Sequence, residues 1–202
     1  MQTLHRSTLI ALTALAAPLL LFAQSRTSVS SAGTQARSTT VRDGLVITQN
    51  VTPAPGTYKI SDADADGVIQ IRADDITLDG TGVTLVGDGR GYGISMNGHK
   101  GLTLRNFNVS GYLYGVHISN ASNVLIQNSN ISGNHKDITT GFLDIGLDEK
   151  YGGGIFFRNV SSSTVQDNTL TNQSTGLEMV ASNNNRVLNN VTSSGPALNE
   201  AG

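Results

Sequence analysis

Near its centre the sequence repeats itself: LTLRNFNVSG at 102–111 returns as VLIQNSNISG at 124–133. Leu102, Leu104, Asn106, Asn108, Val109 and Ser110 fall on Val124, Ile126, Asn128, Asn130, Ile131 and Ser132, an offset of 22 residues. Weaker copies flank the pair, so that units begin at Ile76, Leu102, Val124, Ser163 and Asn185. A second phrase, glycine followed by apolar-x-apolar, recurs as GISM (93–96), GVHI (115–118), GIFF (154–157) and GLEM (176–179). A fixed period of about 20 to 50 residues marks a solenoid, in which one unit cannot bury its apolar face without neighbours.

Within a unit, apolar and polar residues alternate over runs of four or five, which is strand periodicity, and no helical stripe is present. The alternation predicts three short strands per unit, at 102–105, 107–110 and 115–118 in the best-defined one. Asn106 and Asn128 occupy the tight corner between the first two, where asparagine tolerates left-handed backbone. A second polar corner at Ser119–Asn123 returns around Asn159 and Asn183. Three strands and their corners make one turn of a coil, so the fold class is all-β: a right-handed parallel β-helix of five to six turns of about 22 residues. Leucine-rich repeats are the main rival, but they require a leucine comb and a helical segment in each unit.

The chain divides into three stretches. His5 and Arg6 precede an apolar run from Leu9 to Ala23, broken only by Thr13 and Pro18. This run is shorter than the roughly 20 residues that span a bilayer. Residues 1–23 therefore read as a signal peptide, with an uncleaved anchor as the alternative, and the protein is expected to be secreted or periplasmic with no stable membrane span after cleavage. Residues 24–40 form a Ser/Thr-rich flexible leader. The coil occupies 41–202, opening with the turn around Pro53-Ala54-Pro55-Gly56 and the strand VIQI at 68–71. The absence of cysteine excludes a disulfide framework, a thiolate metal site and a cysteine nucleophile. A net charge of -2 without a basic stripe argues against a nucleic-acid partner. The last unit decays into SSGPALNEAG with no capping helix or charged closing strand, so the coil is expected to lack a C-terminal cap and to offer that end for self-association. The Asn-x-Ser/Thr triplets at Asn108, Asn120, Asn130, Asn159 and Asn190 read as corner chemistry rather than glycosylation sites.

By its period, its Asn corners and its glycine-apolar-x-apolar strand, the chain resembles the right-handed β-helix proteins of the pectate-lyase-like superfamily over residues 41–194. That group includes secreted polysaccharide lyases and hydrolases as well as NosD-type periplasmic accessory proteins. The resemblance implies that the sheet built by the GISM, GVHI, GIFF and GLEM strands carries the substrate groove. Alternation on those strands sets Ser95, His117, Phe156 and Glu178 outward in one column, with Asn97, Ser119, Arg158 and Val180 beside it and a glycine row at 93, 115, 154 and 176. Phe156 and Tyr114 are candidates for sugar contact, Arg158 for a uronic carboxylate, and His117, Arg158 and Glu178 for catalysis. The alternative is that exposed strand positions simply vary.

The unit that begins at Val124 is the long one, and its excess, 135–152, carries His135, Lys136, Asp137, Asp144, Asp148, Glu149 and Lys150. Long inserts on solenoids gather on the binding face, which makes these residues substrate-binding candidates. Enzyme motifs are incomplete: Gly98-His99-Lys100 lacks the last glycine of a polygalacturonase-type Gly-His-Gly, and Glu178 has no carboxylate partner on its column. Asp62, Asp64 and Asp66 match the first half of a calcium loop, with Ala73 where its closing glutamate belongs, so either calcium or a polar turn accounts for them. Two functions follow: an exported β-helix that binds or processes an extracellular polysaccharide or other glycan, or a non-enzymatic scaffold or NosD-like accessory protein.

Overall fold

The structure, a computed structural model, describes residues 39–135 and 152–194. The expected signal peptide and most of the leader lie outside these residues, as do Lys136, Asp137, Asp144, Asp148, Glu149 and Lys150. In chain order the first two turns of the coil carry β1 (Leu45–Ile47), β2 (Gly56–Lys59), β3 (Ile69–Ile71), β4 (Thr77–Asp79) and β5 (Val83–Val86). The third and fourth carry β6 (Tyr92–Asn97), β7 (Thr103–Arg105), β8 (Asn108–Ser110), β9 (Tyr114–Ser122), β10 (Leu125–Gln127) and β11 (Asn130–Ile131). The last two carry β12 (Gly153–Ser161), β13 (Thr164–Gln166), β14 (Thr169–Gln173), β15 (Leu177–Val180), β16 (Arg186–Leu188) and β17 (Val191–Ser194). Among the described residues no helix is long and apolar enough to cross a membrane.

These strands stack into three parallel sheets. Sheet 1 runs β1-β3-β6-β9-β12-β15, sheet 2 runs β4-β7-β10-β13-β16, and sheet 3 runs β2-β5-β8-β11-β14-β17. The register reproduces the repeat: in sheet 2, Thr77 pairs with Thr103, Thr103 with Leu125, Leu125 with Thr164, and Thr164 with Arg186. The fold is therefore the expected right-handed parallel β-helix, in six turns, the first closed on the sheet 2 side by a single bridge from Val51 to Leu78.

Like sits on like inside the coil because every strand keeps alternate residues inward. Ile69, Ile94, Val116 and Ile155 stack through sheet 1, and Leu78, Leu104, Ile126 and Val165 through sheet 2, all fully buried. Buried amides tie successive turns where the stack passes through a corner. Asn168 accepts from the Ser129 N–H and donates to the Ile126 carbonyl, each at 3.0 Å. Asn134 does the same with the Tyr112 N–H and the Val109 carbonyl. Each hook satisfies backbone groups that the bend removes from the ladder.

The corners are left-handed at Asn106 (φ 63°) and Asn128 (φ 51°), as the sequence predicts, and also at Asp167 (φ 56°). The second corner behaves differently from expectation. β9 and β12 run on through it to Ser122 and Ser161, because Asn120 (φ 49°) and Asn159 (φ 54°) bend the chain without breaking the pairing. Their side chains form a ladder of their own, Asn159 donating to Asn120 and Asn120 to Asn97, each at 2.9 Å. In the last described turn Val187 is 52% exposed, against complete burial of its equivalents Val165, Ile126 and Leu104 in the turns before it.

Candidate functional site

Pairing along sheet 1 places the outward residues as alternation predicts. Ser95 lies beside His117, His117 beside Phe156, and Phe156 beside Glu178, while Ser119 lies beside Arg158. The side chains do not form the open row that this register suggests. Tyr92, His117 and Phe156 stack ring on ring, at 4.1 Å and 5.0 Å between centroids with both pairs 15° from parallel. The Arg158 guanidinium lies over the Phe156 ring at 5.3 Å from its centroid, within the range of a cation–π contact. Tyr114 tilts against Phe156 at 5.0 Å, and its hydroxyl donates to the Glu178 carboxylate at 2.7 Å. Strand spacing of about 4.8 Å is close to aromatic stacking distance, so rings on adjacent turns meet face to face.

Two expectations change as a result. Phe156 and Tyr114 are 0% and 1% exposed, so neither offers a face to a sugar; both are packed outside the inner core by their neighbours in the stack. The glycine row does not open onto solvent either. A Cβ on Gly93 would run into Val109 and Tyr112, and one on Gly154 into Gln173, so these glycines face the coil interior, where sheet 1 meets the returning chain. They are required by tight packing rather than by an approaching ligand.

An opening remains on the N-terminal side of the stack. A cleft of about 270 Å³ is bordered by Asp66, Arg72, Tyr92, Ser95, Asn97 and His117, drawn from three successive passes of the chain. Arg72 extends from the end of β3. Its Nε and one terminal nitrogen donate to Gln70 Oε1 at 3.2 and 2.7 Å, and Gln70 is itself buried. Two of five guanidinium donors are thereby spent on fixing the side chain, and three remain for a ligand. His117 is held flat in the cleft wall by the rings above and below it.

The acidic loop forms one rim. Asp62 is buried, and its carboxylate accepts from the backbone N–H groups of Tyr92 (2.6 Å), Gly67 (3.0 Å) and Asp66 (3.3 Å). Burial pushes its pKa above the ordinary carboxylate range, with the hydrogen bond to Asp64 adding to the rise and those N–H groups opposing it. The Asp66 carbonyl accepts from the Ser95 hydroxyl, which docks the loop on β6. Carboxylate oxygens of Asp62, Asp64 and Asp66 lie within 4.8 Å of one another, and among the described residues no further His, Asp or Glu joins them. Three crowded carboxylates fit a hard cation such as calcium, whose other oxygen ligands would be carbonyls and water.

Of the residues singled out from the sequence, the structure gathers His117, Asp66, Ser95 and Asn97 into the cleft. Arg158, Phe156, Tyr114 and Glu178 lie along the stack beyond it, and His135 is half-buried and does not line the cleft. Arg72, Tyr92 and Gln70 went unrecognised. Aligning VIQI with GISM would have found Gln70 and Arg72, since Gln70 pairs with Ser95.

A family model described as a right handed beta helix region matches residues 58–196. Among solved structures, the A-module of the Azotobacter vinelandii mannuronan C-5 epimerase AlgE6 is similar at 13% identity and a TM-score of 0.27, over 77% of this chain. The chain spans 56% of the length of that module. No curated protein matches the chain.

Proposed function

The chain belongs to the right-handed β-helix family, and from that premise we propose that it binds an extracellular polysaccharide in the cleft on the outer face of sheet 1. The observation that supports this reading is the convergence of a pre-oriented guanidinium, Arg72, with the Tyr92 and His117 rings and the polar Ser95 and Asn97 in one opening. Arg72 offers a fork to a carboxylate or sulfate on the sugar chain. Ser95 and Asn97 match sugar hydroxyls, and the fixed imidazole of His117 is placed to move a proton if the bound sugar is processed. Asp62, Asp64 and Asp66 would hold calcium, which supplies charge neutralisation at the rim. Glu178 and Arg158 contribute to the rigidity of the wall through Tyr114 and Phe156 rather than to the cleft itself.

The scaffold reading has one observation in its favour: Phe156 and Tyr114 are buried against each other, and Tyr114 is bonded to Glu178, so neither ring is open to a ligand. Incubation of the purified chain with acidic and neutral polysaccharides, with calcium or with a chelator, separates the two. The cleft reading expects retention of an acidic polymer that weakens at least tenfold in His117→Ala, and new reducing ends or unsaturated products would add catalysis to binding. A folded chain that retains no polymer would favour the scaffold.

A further inference from the structure

The corner between sheets 2 and 3 carries a second opening, on a different face from the cleft. It is a shallow groove of about 670 Å³ whose lining includes Asn106, Asn108, Asn128, Asn130, Asp167 and Thr169. These residues come from three consecutive turns, with Thr81 and Gly82 extending the groove to a fourth. At about 4.8 Å per turn it runs about 14 Å along the coil axis. Left-handed Asn106, Asn128 and Asp167 bend the chain at its floor, and the strand positions Asn108, Asn130 and Thr169 pair side by side along its wall.

We propose that this groove binds an extended neutral polysaccharide chain lying parallel to the coil axis. The lining supplies both halves of a hydroxyl's hydrogen bonding at the spacing of the turns. Asn106 donates to Asp79 and Thr81 and keeps its carbonyl oxygen for a donor. Asn130 accepts from the Ser132 hydroxyl and keeps its amide hydrogens for an acceptor. Asn108 and Asn128 have no side-chain partner among the described residues and offer both functions. No Lys or Arg lines the groove, and its charged member is the carboxylate of Asp167, so a polyanion is repelled where an uncharged sugar is not. Phe107 at the floor is buried and gives no stacking platform, which leaves many individually modest hydrogen bonds. Occupancy therefore depends on a ligand long enough to make them together.

The test is affinity electrophoresis of the full chain in soluble neutral glucan, mannan and xylan, each compared with its trisaccharide as competitor. The proposal expects retardation by at least one polymer and competition by its trisaccharide at least tenfold weaker than by the polymer. Asn108→Ala combined with Asn128→Gly, the glycine preserving the φ of 51°, is expected to weaken retardation at least tenfold with an unchanged circular dichroism spectrum. Asn108→Asp alone, at an exposed strand position, serves the same purpose should the double variant misfold. Arg72→Ala, in the cleft, should leave neutral binding intact. No retardation of the folded chain by any of the polymers, full retardation of the groove variants, or loss of neutral binding in Arg72→Ala would each overturn the proposal, and none of these outcomes decides whether the cleft binds an acidic polymer.

Discussion

The outer face of sheet 1 and the corner between sheets 2 and 3 are built by the same repeat and use it in opposite ways. Along the corner, successive turns carry the same kind of residue: Asn106, Asn128 and Asp167 at the bend, Asn108, Asn130 and Thr169 beside it. Along sheet 1 the equivalent positions change at every turn, from Gln70 to Ser95, His117, Phe156 and Glu178. The coil holds both faces on one core, so the outward positions are free to vary or to repeat. A repeated face presents one interaction many times and suits a polymer held weakly along its length. A varied face concentrates different chemistries at one point and suits recognition of a particular group.

The largest effect should come from breaking what the two faces share. Asn168→Ala leaves the Ser129 N–H and the Ile126 carbonyl unpaired inside the coil and should cost about 3 kcal/mol. In a chain of this size that is a fall of roughly 6–12 °C in the thermal unfolding midpoint, and binding at both faces should weaken together. Gly154→Ala comes next, since its Cβ would stand 2.5 Å from Gln173 Nε2 and 2.6 Å from the Gly176 carbonyl oxygen. Overpacking there should cost about 1–3 kcal/mol in a denaturant titration, which would separate an inward glycine from one kept open for a ligand.

Glu178→Gln tests whether the far part of sheet 1 is wall or site. Loss of the charge on the Tyr114 hydrogen bond should cost about 1 kcal/mol of stability while polysaccharide retention stays within twofold of the parent. A selective loss of retention would move the site along the stack toward Glu178. The smallest effect is on the corner side. Burial raises the Asp79 pKa, but hydrogen bonds from Thr81 and Asn106 and the nearby Arg105 more than offset this and hold it below its ordinary value of 3.8. A lowered carboxylate pKa contributes stability that is present above the ordinary value and lost as pH falls through the folded one. Asp79→Asn should therefore remove that contribution at neutral pH and flatten the acid limb of the stability profile below pH 3.8, where variant and parent converge, as denaturant midpoints measured from neutral to acid pH would show.

Much of this coil was legible in the residues, because a 22-residue period fixes which residues stack and a two-residue period fixes which face inward. Asn106 and Asn128 could be read as left-handed corners from side-chain chemistry alone. The outward surface was harder, since period two says only that Phe156 leaves the core. Its burial depends on Arg158, Tyr114 and His117 closing around it, and contacts between outward side chains leave no periodic trace. The glycine row misled for the same reason: what a missing Cβ makes room for lies across the coil, far away in sequence. Arg72 escaped notice because the early turns repeat at 24 and 25 residues, as the pairings Leu45 with Ile69 and Ile69 with Ile94 show.

The most direct test of the contrast between the two faces is a calorimetric titration of an acidic polysaccharide into the parent chain and into Arg72→Ala, with folding of both checked by circular dichroism. The sheet 1 cleft predicts a loss of at least tenfold in affinity, about 1.4 kcal/mol, and a weaker salt dependence in the variant. Equal affinity in two equally folded proteins would contradict it and remove the cleft as the site of binding.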